Sequence, residues 1–335
     1  MRPDRLGDVV LSTPLPREIK KKYPDAFIAV LVRKYTKAVF ENNPHIDLIL
    51  CDDFTEETRK ETFWKRVEEL RKLQFTDGLM LLPTERLNWM MFWAGISNRV
   101  GVGHKLYQTL SFAKSVSRNK YIPLRHESDY CMDLARKIGI NTYNIASELH
   151  LNNEEKQKLL ELKDEFKKDK KYVVGIHTTF GGSSPNVSAL TYRKVIEELK
   201  DDPDIKVIVT GNEVIKEIAD IEGVTHLTDN LRDLFILIGT FDLLVSSSTG
   251  PAHVAAALRI PTLTLFCPLP ACHPTLWSPI GNDANYLMPD EKYCGTVCPG
   301  DPHLCRFEGE GGINESKIID AIRGIISTKE LQTVL

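Results

Sequence analysis

No run of 18 apolar residues occurs in this chain of 335 residues, and Met1 to Leu11 lacks the basic segment and long apolar stretch of a secretory leader. The protein is therefore expected to be neither secreted nor membrane-spanning. A strong excess of either charge is also missing: 43 Lys and Arg stand against 46 Asp and Glu, a net charge of −3. That balance gives no general pull toward nucleic acid or anionic lipid, and no nucleic-acid partner is expected. Cysteine occurs seven times, at 51, 131, 267, 272, 294, 298 and 305. An odd, scattered set is not a complete disulfide framework, so a reducing cytoplasm is the expected setting. Low-complexity tracts and short repeats are absent too, which leaves an ordinary globular chain with 42% hydrophobic residues, long enough for two domains.

What is present is a rhythm. Short apolar runs (Phe27 to Val32, Ile46 to Leu50, Gly78 to Leu82, Arg99 to Gly103) alternate with helical segments such as Leu15 to Tyr23, Glu56 to Leu73 and Leu87 to Ile96. This is the pattern of parallel strands covered by helices on both faces. From Asn152 to Lys171 the composition turns to Lys and Glu with apolar residues at helical spacing, predicting a solvated helix at a domain boundary. The rhythm then restarts with Tyr172 to His177, Tyr192 to Leu199, Lys206 to Thr210, Leu243 to Ser246 and Thr262 to Phe266. The prediction is α/β throughout, with one Rossmann-like domain over residues 1–160 and another over 161–335. Ligands of such paired domains sit at the carboxyl ends of strands.

The sharpest local signal is the apolar strand Leu243 to Val245 running through Ser246, Ser247, Ser248 and Thr249 into Gly250, Pro251, Ala252 and His253. A helix start offers unpaired N–H groups and a positive dipole end. Gly250 permits close backbone approach, and Pro251 sacrifices no hydrogen bond at the first helical position. His253 is placed to donate to a phosphate oxygen. Two readings stand side by side on these residues: a phosphate cradle, and plain N-capping by Ser248 or Thr249.

The set Ser248, Thr249, Gly250, Pro251, His253, Ala255 and Ala256, followed by Pro261 and the strand Thr262 to Phe266, resembles the ADP-heptose:lipopolysaccharide heptosyltransferases, glycosyltransferase family 9. A second anchor is Asp4-Arg5-Leu6-Gly7-Asp8-Val9-Val10-Leu11-Ser12-Thr13-Pro14, similar to that family's opening acceptor-site motif. His177 with Gly181 and Gly182, Gly211 with Glu213, and the Trp277 to Gly281 segment fall where the family has similar elements. The resemblance implies a GT-B fold, two Rossmann-like domains facing across a cleft, with acceptor on the N-terminal domain and donor on the C-terminal one. It also implies inverting sugar transfer without a cofactor or an obligatory metal.

By the same resemblance Asp8 is the general base, with Arg5, Gly7, Ser12 and Thr13 on the acceptor side. His177, Thr178, Gly211, Glu213, Ser248, Thr249, Gly250, Pro251 and His253 hold the donor. The residues alone favour Asp8 as a helix N-cap; only the family motif reverses that preference. Glu213, after a strand ending at Gly211, suits either a ribose hydroxyl or an exposed place early in a helix. The implied partners are a nucleotide-sugar, ADP-heptose or another, and a lipopolysaccharide-type glycolipid or other glycan, with reversible contact at the inner membrane face.

The chain departs from the family in three places. The stretch Ser183 to Leu190 carries no Lys or Arg where the family often has one, Arg193 being the first; Ser248 stands where Asp is frequent; and only Met1 to Arg5 precede the Gly7-Asp8 turn, so the first strand is expected to lie upstream or to be altered or truncated. These departures leave other nucleotide-sugars open. Cys294, Cys298, His303 and Cys305 allow a zinc site, although their spacing is not that of a tight knuckle, and free thiols in an irregular loop are the other reading. Arg17, Lys20, Lys21 and Lys22 form either a lipid-touching patch or a solvated helix face. Two rival functions remain: a nucleotide-sugar epimerase or hydrolase of the same fold, and a non-catalytic nucleotide-sugar binder.

Overall fold

A computed structural model describes residues 1–118, 122–182, 184–225 and 227–334. Two compact units divide the chain, Met1–His150 and Leu151–Leu335.

The first unit runs α1 (Leu6–Val10), α2 (Pro14–Lys22), β1 (Ala29–Val32), β2 (Leu48–Cys51), α3 (Arg59–Leu73), β3 (Asp77–Met80), α4 (Glu85–Trp93), β4 (Asn98–Val102), α5 (Leu106–Leu110), β5 (Lys114–Val116) and α6 (Glu127–Arg136). β1 pairs with β2, and β3, β4 and β5 form a second ladder, all parallel. Met1 and Arg2 bridge the two ladders. The Met1 amine donates to the Leu79 carbonyl at 2.7 Å, Leu81 N–H donates to the Met1 carbonyl at 3.1 Å, and Arg2 N–H donates to the Leu31 carbonyl at 2.9 Å. This is the slanted pattern of a parallel strand. Toward the amino ends of β1 and β3 the same slot opens into a cavity of about 710 Å³, lined by Leu15, Ile19, Val30, Gly78, Leu79 and other apolar groups.

The second unit runs α7 (Asn153–Phe166), β6 (Tyr172–His177), α8 (Ala189–Lys200), β7 (Ile205–Thr210), α9 (Leu231–Gly239), β8 (Leu243–Ser247), α10 (Gly250–Ala257), β9 (Thr262–Leu265), α11 (Pro274–Trp277), β10 (Ala284–Leu287), α12 (Tyr293–Thr296) and α13 (Glu315–Val334). Its sheet is parallel in the order β10-β9-β8-β6-β7. The charged helix α7 belongs here. Asn152 and Glu155 form its capping box, and Gly239 on α9 lets Leu159 approach so closely that a Cβ there would stand 2.3 Å from Leu159 Cδ1. β6 is buried along almost all its length, as a central strand bonded on both sides must be, and Gly175 within it leaves room for the ring of Phe241.

Candidate functional site

In the second unit, β6 lies between β7 and β8, reached by crossovers that diverge to either side. This is the switch point where a doubly wound sheet leaves a crevice at its carboxyl edge. Register places His177 at the end of β6 beside Thr210 of β7 and Ser246 of β8. His177 Nδ1 is 2.9 Å from Thr210 Oγ1, and Nε2 is 3.3 Å from Thr179 Oγ1. Burial drives its pKa down to about 4, so the ring is neutral near pH 7.

The turn after β8 is tied to the loop after β6. Ser184 Oγ donates to the Ser248 carbonyl at 3.0 Å, Asn186 Nδ2 donates to the Thr178 carbonyl at 3.1 Å, and the Tyr192 hydroxyl donates to Asn186 Oδ1 at 2.8 Å. Ser183, within this loop, lies outside the described residues. Helix α10 begins at Gly250, with Pro251 second rather than first. Thr249 is the N-cap by backbone conformation, yet its side chain makes no cap hydrogen bond. Ser248 is not the N-cap either. Thr249 Oγ1 and Ser247 Oγ are both buried without a hydrogen-bond partner, which is costly for a hydroxyl. The capping reading thus fails for Thr249, and what remains is a helix start with two unused hydroxyls and buried His253 one turn inside.

Not every expected donor residue joins this turn. Gly211 closes tightly after β7, where a Cβ would meet the Glu213 carbonyl oxygen at 2.9 Å; Glu213 itself is exposed at the rim. Arg193, the nearest downstream cation, is paired with Glu197 and Asp220 on the surface of α8.

In the first unit Met1 and Arg2 put the following turn at the carboxyl edge, at the centre of the sheet. Arg5 is the N-cap of α1 by conformation, and Asp8 sits inside the first helical turn, so the N-cap reading of Asp8 does not hold. The Asp8 carboxylate accepts from Arg2 Nη2 at 2.5 Å. Burial raises its pKa, opposed by the Arg2 guanidinium, and the net displacement is upward, in the direction that strengthens a base. Arg2 also pairs with Asp4 at 3.2 Å and with Glu127 at 3.1 Å, and Arg118 closes on the other Glu127 oxygen. Neither Glu127 nor Arg118 was visible as a site residue in the sequence, because each lies more than 100 positions from Asp8. Arg2 carried a signal, a cation six residues away.

Arg5 is exposed and Gly7 lies in the first turn of α1. Ser12 and Thr13, expected on the acceptor side, do not offer hydroxyls to a ligand. Ser12 Oγ donates to the Val9 carbonyl at 2.7 Å; Thr13 Oγ1 donates to the Val10 carbonyl at 2.8 Å and accepts from Glu148 N–H at 2.9 Å. Both are buried and close the α1–α2 turn. The basic cluster is likewise engaged internally: Arg17 with Glu18 and Glu148, Lys20 with Asp47, Lys21 with Glu18, and Lys22 with the Gly139 carbonyl. Among the described residues, Cys294, Cys298, His303 and Cys305 included, no group of three or more His, Cys, Asp or Glu is arranged to hold a metal ion. No helix among the described residues is long and apolar enough to cross a membrane.

With this geometry in view, the model of glycosyltransferase family 9 (heptosyltransferase) matches residues 64–297, well over half of the chain. The chain belongs to glycosyltransferase family 9. Lipopolysaccharide core heptosyltransferase OpsX of Haemophilus influenzae is 23% identical over 282 residues, 79% of this chain and 77% of its own. A family 9 protein of Veillonella parvula superposes with a TM-score of 0.78 at 18% identity, covering 97% of this chain and 95% of the other. Heptosyltransferase WaaC of E. coli, solved with ADP, gives 0.68 at 12% identity, covering 97% and 99%. The α/β, GT-B fold class expected from the sequence holds, and the chain is a heptosyltransferase-like glycosyltransferase. The turn at 248–253 lies within the matched residues; Asp8 lies before them.

Proposed function

We propose that this family 9 enzyme transfers a sugar, heptose in the first instance, from a nucleoside diphosphate donor to a lipopolysaccharide-type glycan. The donor diphosphate docks on the start of α10. Asp8 takes the proton from the acceptor hydroxyl as its oxygen bonds to the anomeric carbon; the bond from that carbon to the phosphate oxygen breaks, inverting the centre, and the nucleoside diphosphate leaves. Negative charge then grows on the β-phosphate, where the Thr249 hydroxyl and the Gly250 N–H at the start of α10 stabilise it. The observation that carries this reading is the buried, unpartnered Thr249 Oγ1 at a helix start on the switch-point crevice. WaaC, a structural neighbour, was solved with ADP, which supports a nucleotide-linked donor.

The test is thermal stabilisation by ADP, UDP, GDP and their sugars, followed by turnover with the best donor. One donor should raise the melting temperature, and Asp8→Asn should keep that rise while lowering kcat by roughly 10²- to 10⁴-fold. Unchanged turnover in Asp8→Asn would remove Asp8 as the base, and product formed without an acceptor would favour an epimerase or hydrolase.

A further inference from the structure

Glu127 is fully buried, and the chemistry above gives its charge no task. It opens α6, whose start is latched to the end of α1: His126 Nδ1 accepts from Ser128 N–H at 3.1 Å, and Ser128 Oγ donates to the Leu11 carbonyl at 2.9 Å. The Glu127 carboxylate thereby joins the cluster around Asp8, with Arg2 on one oxygen at 3.1 Å and Arg118 on the other. Arg2 is enclosed from several sides. Besides its bonds to Asp8, Asp4 and Glu127, its Nη1 lies 3.4 Å from the Leu81 carbonyl oxygen and 3.9 Å from Cys131 Sγ. Against apolar residues of the same volume a buried ion pair adds little stability, so this one calls for another explanation.

The charges supply it. Two cations, Arg2 and Arg118, face three carboxylates, Asp4, Asp8 and Glu127, which leaves one negative charge in excess. Cys131 and Tyr35 border the cluster, Tyr35 through its hydroxyl, which donates to the Asp4 carbonyl at 3.2 Å. Burial pushes both pKa values up, so neither adds a charge near pH 7. In the proposed reaction Asp8 takes up a proton, and the cluster then becomes neutral.

We propose that Glu127 and Arg2 are positioning residues for this proton transfer. Glu127 fixes the Arg2 guanidinium, Arg2 fixes Asp8 through Oδ1, and Oδ2 receives the proton of the acceptor hydroxyl. Glu127 also divides the attraction of Arg2. A cation shared among three carboxylates stabilises the ionised form of each one less, so Asp8 keeps more of its basicity. Both roles rest on Asp8 as the base.

The test follows the Asp8 carboxyl by carbon NMR of the carboxyl-labelled full chain, assigned with Asp8→Asn, beside kcat against pH with the donor found by thermal stabilisation. Glu127→Gln keeps the side chain's shape and removes its charge. Arg2 then acts on Asp8 more strongly, so the Asp8 midpoint should fall by roughly one pH unit, the acid limb of kcat should follow it down, and kcat should drop roughly tenfold. Arg2→Met should move midpoint and limb the other way, up, and lower kcat by roughly 10²-fold because the carboxylate is no longer aimed. Arg2→Lys, which keeps the charge, should restore part of that loss. Donor-induced stabilisation, read in the second unit, should match the wild type in each variant. Circular dichroism checks folding, and Glu127→Gln with Arg2→Lys carries the test if Arg2→Met does not fold. Opposite shifts are the signature, since general damage to the fold would lower kcat without them. Asp8 midpoints unmoved in the folded variants overturn the positioning roles. Full turnover in Asp8→Asn would remove the base and these roles with it, a result told apart by that variant alone.

Discussion

The segment Met1–Arg2 and the strand β6 hold the same topological place, each at the centre of a parallel sheet, and the space around them is filled very differently. β6 has six residues, nearly all buried and bonded to β7 and β8 on both sides. In the first unit Met1 and Arg2 make the corresponding bonds, and a cavity of about 710 Å³ lies beside them. Yet both segments deliver a turn to the carboxyl edge, one leading to Asp8 and the other to the loop that braces Ser248. The contrast is between a slot packed along its length and one with open space beside it.

If this is so, overfilling the two slots should have opposite effects. In β6 a Cβ on Gly175 would stand 2.2 Å from the Phe241 ring, and that ring is buried with nowhere to move. Gly175→Val should cost at least about 3 kcal/mol through overpacking. Calorimetry should show one transition lowered and another, from the first unit, unmoved; a single unchanged transition would contradict the tight packing of β6.

At the other slot, extending the chain before Met1 with four residues such as Val-Ile-Val-Leu should stabilise. Each buried side chain contributes about 2 kcal/mol, offset by about 1–2 kcal/mol for ordering each residue, and new ladder bonds add to the balance. A net gain of about 2–4 kcal/mol, or roughly 5–10 °C in the first unit's transition, is expected. A Gly-Ser extension of equal length is the control. Equal melting temperatures for the two would show that the cavity does not accept a strand.

The two edges also differ in how they respond to pH. His177 is held neutral, its pKa brought down by burial to about 4, whereas the same imidazole in the unfolded chain titrates near 6.5. Between these values the unfolded state binds the extra proton, so stability is fully present above about pH 6.5 and is lost as pH falls toward 4. The loss should reach about 3 kcal/mol. His177→Asn should flatten this part of the profile for the second unit and leave the first unit's profile as it was; a slope retained in the variant would assign it to another group.

How far the sequence foresaw this follows the same division. Tyr172 to His177 is a strand over the very residues its apolar run predicted, because a strand buried on both faces leaves an unbroken signature. The turn at 248–253 was legible because a helix start, a glycine and hydroxyls are local features. The surroundings of Asp8 were not, since Glu127 and Arg118 reach it only through folding of more than 100 intervening residues. At Ser12 and Thr13 the motif alone did not show that the hydroxyls are already bonded to the Val9 and Val10 carbonyls, a contact that only the folded turn brings into place.

Two threonines give the finest form of the comparison. Thr13 and Thr249 hold the N-cap positions of α2 and α10, but Thr13 Oγ1 makes two hydrogen bonds while Thr249 Oγ1, though buried, makes none. Valine matches threonine in shape. Thr13→Val should therefore cost about 1–3 kcal/mol, since it strands the buried Glu148 N–H without an acceptor. Thr249→Val removes a hydroxyl that stabilises nothing in the free protein and should change stability by less than about 0.5 kcal/mol, or raise it. The hydroxyl's worth should appear only with ligand: the rise in melting temperature given by the preferred nucleoside diphosphate should shrink in Thr249→Val and persist in full in Thr13→Val. Equal destabilisation of the free protein by both substitutions would mean that Thr249 has a structural task after all, and the start of α10 would lose its best claim to the donor.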